Sequence, residues 1–98
     1  MQVRTLATIT TDTTVDTRVP TQNYQRHPEM VLQVGITGTI TVQILGSLDG
    51  TTWVEMLAAS AASQLSAVAL VPHVRIVTTG TSGGTAVVKV GTGQGPRA

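Results

Sequence analysis

The sequence predicts an all-β protein: a small antiparallel β-sandwich or barrel with an extended N-terminal arm and a Gly-rich C-terminal tail. Three observations carry this. Ile40, Val42 and Ile44 alternate with Thr39, Thr41 and Gln43, the two-residue period of a half-buried strand. Asp49-Gly50 separates that run from a second one carrying Trp53, Val54, Met56 and Leu57, and Asp-Gly between apolar runs is a strong hairpin signal. About six short runs recur with turn residues every eight to twelve positions, the spacing of sandwiches and barrels.

Taken in order, Gln2–Ile9 is a candidate strand with imperfectly spaced Val3, Leu6 and Ile9. The Thr-rich stretch Thr10–Asn23 favours extended backbone, because β-branching restricts χ1. Its sizeable apolar groups are Val15 and Val19, and Pro20 marks an edge strand or an extended arm. Gln22–Pro28, with Tyr24, Arg26 and His27, reads as a loop. Met30, Leu32, Val34 and Ile36 then define a strand facing the core with its even positions. A Thr37-Gly38 turn leads into Thr39–Leu45, so these two runs are expected to pair antiparallel.

After Asp49-Gly50, Trp53–Leu57 forms the next strand. Ala58–Ala69 is rich in Ala, a good helix former, but has three Ser and no apolar stripe; a short helix, a loop or an irregular strand all fit. His73–Thr79 turns Val74 and Ile76 to one side. Gly80–Gly84 reads as a turn into a last strand, Thr85–Val90, with Arg75 and Lys89 on exposed faces. Three parts result: an arm and edge strand over 1–28, a sandwich core over 29–91, and a tail over 92–98 with nothing to bury.

The composition limits what such a domain does. With 98 residues there is room for one core. Phe and Cys are absent, and one Trp and one Tyr are present, so the 41% apolar content comes almost wholly from Val, Ile, Leu, Ala and Met, and association with other chains is expected to add stability. Charged residues make up 11% of the chain and the net charge is +1, with the basic residues scattered, which argues against a nucleic-acid partner. The longest weakly polar stretch, Met56–Val71, is interrupted by Ser and Gln, which argues against a membrane partner. The first residues lack the apolar run of a signal peptide, so the chain is expected to fold in a cytoplasm.

Catalytic and metal chemistry finds little support. Ser60, Ser63 and Ser66 lack a nucleophile-elbow pattern, and His27 and His73 each adjoin a proline without a triad-like spacing. Asp12 and Asp16 share a face without a third oxygen ligand, and nothing brings Glu29 towards Glu55. Gly80, Gly83 and Gly84 precede no helix that would make a phosphate site. No enzyme activity, cofactor or metal is expected. Trp53 has two readings. As the single large ring in a Phe-free core it closes the packing; exposed on a strand, it is a sugar-stacking platform.

Gly46–Trp53 (G-S-x-D-G-x-x-W), Val71–Ile76 (V-P-x-V-R-I) and Gly80–Thr85 (G-T-x-G-G-T) together resemble small tailed-bacteriophage virion structural proteins of the capsid decoration, or cement, type. The likeness spans residues 34–90; S-x-D-G-x-x-W turns also occur in discoidin-like and other carbohydrate-binding sandwiches. The resemblance implies a non-enzymatic protein on the exterior of a capsid, made in the host cytoplasm, with the major capsid protein as partner and a homo-oligomeric state, trimer or dimer. The resemblance leaves two alternatives, a carbohydrate-binding or host-attachment module of a tail or fibre, and a head-tail connector or tail accessory protein. For the decoration role the fold-defining residues are Ile40, Val42, Ile44, Asp49, Gly50 and Trp53. The partner-binding residues are expected in the arm, at Thr10, Thr11, Thr13, Val15, Arg18 and Val19, where an extended segment adds to a neighbour's sheet. On a lattice, several weak contacts become a firm attachment.

Overall fold

The computed structural model describes residues 2–21 and 28–92. Its strands are, in chain order, β1 (Gln2–Ile9), β2 (Thr13–Arg18), β3 (Glu29–Ser47), β4 (Val54–Ser60), β5 (Gln64–Ala69) and β6 (His73–Thr92). All pairings are antiparallel. β3 and β6 pair along their whole lengths, from Met30–Thr92 at one end to Ser47–His73 at the other. β1 and then β2 follow the outer edge of β6, while β4 and then β5 follow the outer edge of β3.

A straight strand as long as β3 would span roughly 60 Å at about 3.3 Å per residue. The longest dimension of the molecule is 42 Å, so the sheet bends. The bend divides one sheet into two layers. β1, the C-terminal half of β6, the N-terminal half of β3 and β5 make one layer; β2 and β4 flank the other halves in the second. Even-numbered side chains of both long strands face the interior between them. Met30, Leu32, Val34, Ile40, Val42 and Ile44 of β3 are buried, as are Val74, Ile76, Ala86, Val88 and Val90 of β6. Each larger aliphatic removed from water in this way contributes about 1.5–3 kcal/mol.

The expected turns at Thr37-Gly38 and Gly80–Gly84 are instead the bend within two continuous strands. The runs on either side of Gly38 do not pair with each other; each pairs with β6. At the bend Thr39 faces both Ser82 and Gly83, a register shift that kinks the pair. Gly38 has φ +76°. A Cβ on Gly38 would lie 2.6 Å from the Gly83 carbonyl oxygen, and one on Gly84 would collide with the Thr39 backbone. The glycines therefore permit a close backbone crossing where turn statistics predicted a reversal. Residues 10–12 and 61–63 interrupt the two outer paths, so each crosses from one layer to the other between its strands.

Other expectations hold or shift in detail. The Ala-rich stretch forms no helix; it continues β4 to Ser60, breaks at residues 61–63, and runs on in the same direction along β3 as β5, with the Ser63 hydroxyl accepting from the Ile36 amide. The last strand runs beyond Val90 to Thr92, which is buried because it sits between Gln2 and Met30. The remaining tail, and the loop with Tyr24, Arg26 and His27, lie outside the described residues.

Candidate functional site

The Asp49-Gly50 hairpin joins β3 to β4, as expected, through a loop of residues 48–53. Within this loop positive φ is confined to Gly50, at +79°; Asp49 acts through its side chain instead. Its Oδ1 accepts from the Thr51 and Thr52 amides and from the Ser47 hydroxyl, while Ser47 Oγ accepts from the Asp49 and Gly50 amides. The Thr52 and Thr51 amides and the Ser47 hydroxyl hold the Asp49 carboxyl at about 2, well below the usual carboxylate range. The S-x-D-G pattern is thus a self-bonded turn, with its acceptors used internally.

Trp53 does not close the core. The loop folds over the outer face of the second layer, with Gly50 beside the His73 ring and Trp53 under the guanidinium of Arg75, 4.3 Å from its centroid. Arg75 also donates from Nε and Nη2 to the two carboxylate oxygens of Asp16, at 2.8 and 3.1 Å. That pairing lowers the Asp16 carboxyl and raises the Arg75 guanidinium. One ring face of Trp53 is therefore taken by an intramolecular cation–π contact. Ile40, Val42 and Ile44 do occupy the core, at 0, 2 and 0% exposure.

The expected arm is docked along β6 in the described residues, from Thr13–Thr78 to Arg18–His73. Val19 is buried, its amide donating to the Pro72 carbonyl, and Val15 packs against the core. The buried hydroxyl of Thr78 accepts from the Thr13 amide and donates to the Thr11 carbonyl. Asp12 accepts from the Thr81 amide, and its contact with Thr81 lowers the Asp12 carboxyl. Thr10, Thr11, Thr13 and Arg18 remain exposed. Arg18 shares a shallow cleft of about 330 Å³ with Arg4 of β1.

The larger concavity lies elsewhere. An apolar cleft of about 580 Å³ opens between β4 and the end of β5, lined by Leu48, Val54, Met56, Val68, Ala69 and Val71. Leu48 and Val54, at 77 and 65% exposure, stand at its rim. Gly46 forms part of its floor because the Met56 thioether and Val71 leave no room for a Cβ there. In the sequence Val54 and Met56 carry only a strand pattern; the signal for the cleft is Leu48, a large aliphatic inside a polar turn.

Chemically, these surfaces offer contact and no assembled reaction centre among the described residues. Ser60 and Ser63 are bonded to backbone amides, His73 packs beside Gly50, and the Asp side chains at 12, 16 and 49 have protein donors. No group of three His, Cys, Asp or Glu placed to hold a metal occurs among the described residues. No protein-family model, curated protein or solved structure matches the chain.

Proposed function

We propose that this chain is a non-enzymatic virion structural protein, a capsid decoration protein that binds the major capsid protein as a homo-oligomer and stabilises the head lattice. The reading begins from the likeness of Gly46–Trp53, Val71–Ile76 and Gly80–Thr85 to such proteins. The observation that carries it further is the layout of the outer strands. Among the described residues β1 and β2 pair with β6 alone, and β4 and β5 with β3 alone, so both long edges of the folded sheet offer backbone donors and acceptors to a neighbour. A contact of that kind needs strands and shape, and little side-chain chemistry. A surface poor in charge is also cheaper to dehydrate against a lattice.

The test is reconstitution. Capsids purified without this protein are heated with and without it added back, and disassembly is followed by light scattering. The added protein is expected to raise the disassembly temperature and to co-sediment with capsids. Capsids that neither retain the protein nor gain heat resistance would overturn the proposal.

A further inference from the structure

The four outer strands differ in how well their edges are protected. β1 has a register shift between Thr5 and Ala7 and carries Arg4. β4 has two register shifts against β3 and carries Glu55. β2 is regular, but its Asp16 and Arg18 are charged. Charges and bulges are the usual devices that stop an edge from pairing with a second copy of itself, while leaving it open to a complementary partner. β5 has neither. Its sequence, QLSAVA, holds no charge and no proline, and it pairs with β3 in unbroken register from Glu29–Ala69 to Val34–Gln64.

The hydrogen-bond phase shows which groups β5 offers. The Leu70 amide donates to the Pro28 carbonyl, in the same register as the strand. Bonding alternates along an antiparallel pair, so Gln64, Ser66 and Val68 bond to β3, while Leu65, Ala67 and Ala69 direct their amides and carbonyls away from it. Those three also have exposed side chains, Leu65 at 70%.

We infer that β5 pairs antiparallel with β5 of a second copy of this chain, about a two-fold axis at Ala67, joining the two β5-containing layers into one sheet. The inference deepens the homo-oligomer in the proposed function by choosing its edge and its number, and it does not depend on the capsid. What selects a second copy is complementarity. At this axis Ala67 exchanges both backbone bonds with Ala67 of the other copy, and Leu65 does so with the other copy's Ala69. Small residues meet at the centre, a large one meets a small one on each side, and no charge faces another. The apolar cleft borders the same edge, sharing Val68 and Ala69, so the pairing also brings apolar surface together.

Sedimentation across a dilution series tests this. The wild-type protein is expected at twice the 10.2 kDa of one chain. Ala67→Pro removes an amide that β3 does not use and is expected to give the single-chain mass with its melting transition retained. A wild-type mass of one or three chains, or an Ala67→Pro variant still at two, would overturn the inference. If Ala67→Pro does not fold, Ala67→Cys decides. Facing residues in a bonded pair lie about 5.5 Å apart at Cα, within disulfide reach, and the chain has no other Cys. Mild oxidation should cross-link Ala67→Cys into a two-chain species and leave Thr14→Cys, on the β2 edge, as single chains; no such difference would overturn it. A single-chain mass together with retained capsid binding would remove this inference and leave the proposed function in place.

Discussion

Arg75 lies 4.3 Å over the Trp53 ring and grips Asp16 with two hydrogen bonds, so one side chain ties the β3–β4 loop to the outer strand β2 across β6. Two partners fix a guanidinium that would otherwise sample many rotamers. Arg75→Ala is expected to uncover the indole and move Trp53 fluorescence to longer wavelength, with little change in melting temperature. Arg75→Lys keeps a charge but loses the planar stack and should give most of the same shift. Emission unchanged in both variants would show that the stack does not form in solution.

Asp49 links the loop to pH. Its folded value, about 2, lies below the ordinary 3.8, so its contribution to stability is present above that ordinary value and is lost as pH falls through about 2. Asp12 and Asp16 shift in the same direction. Urea midpoints should therefore decline as pH drops from about 4 to 2. Asp49→Asn keeps an acceptor oxygen without titrating and should flatten part of that decline. Parallel profiles for the two proteins would count against the Asp49 network.

The bend separates three glycines by cost. Gly83 has positive φ but open space around it, so Gly83→Ala should cost about 1 kcal/mol from backbone strain. Gly38→Ala adds a clash with the Gly83 carbonyl to that strain and should cost about 3 kcal/mol. Gly84→Ala, set against the Thr39 backbone, should be at least as severe. Urea unfolding ranks them; equal losses at all three would contradict the close crossing.

Thr78 offers a separate check on how β2 is held. Thr78→Val preserves shape but leaves the Thr13 amide without its acceptor and the Thr11 carbonyl without its donor. A loss of about 1–3 kcal/mol is expected for such unpaired groups, with faster amide exchange at Thr13. Thr78→Ser retains the hydroxyl and should recover most of both.

The alternation of Met30 to Val34, Ile40 to Ile44 and Val74 to Ile76 made the core legible, because a two-residue period names the buried face whatever the topology. Topology was harder. Gly38 and the Gly80–Gly84 run carry the composition of turns, and local sequence does not separate a chain reversal from a kink shared by two long strands. That distinction depends on the partner strand, as Gly84 against Thr39 shows. Trp53 was misplaced for a similar reason: its partner, Arg75, lies far along the chain. The apolar cleft arises from the meeting of Val54, Met56, Val68 and Val71, which no local spacing brings together.

Copy number tests most directly whether the protein's role is repeated across a lattice. Quantitative mass spectrometry of intact particles should find this chain in a fixed proportion to the major capsid protein, set by the lattice. A copy number equal to that of a single ring at one vertex, or absence from the head with recovery in tails or fibres, would contradict it.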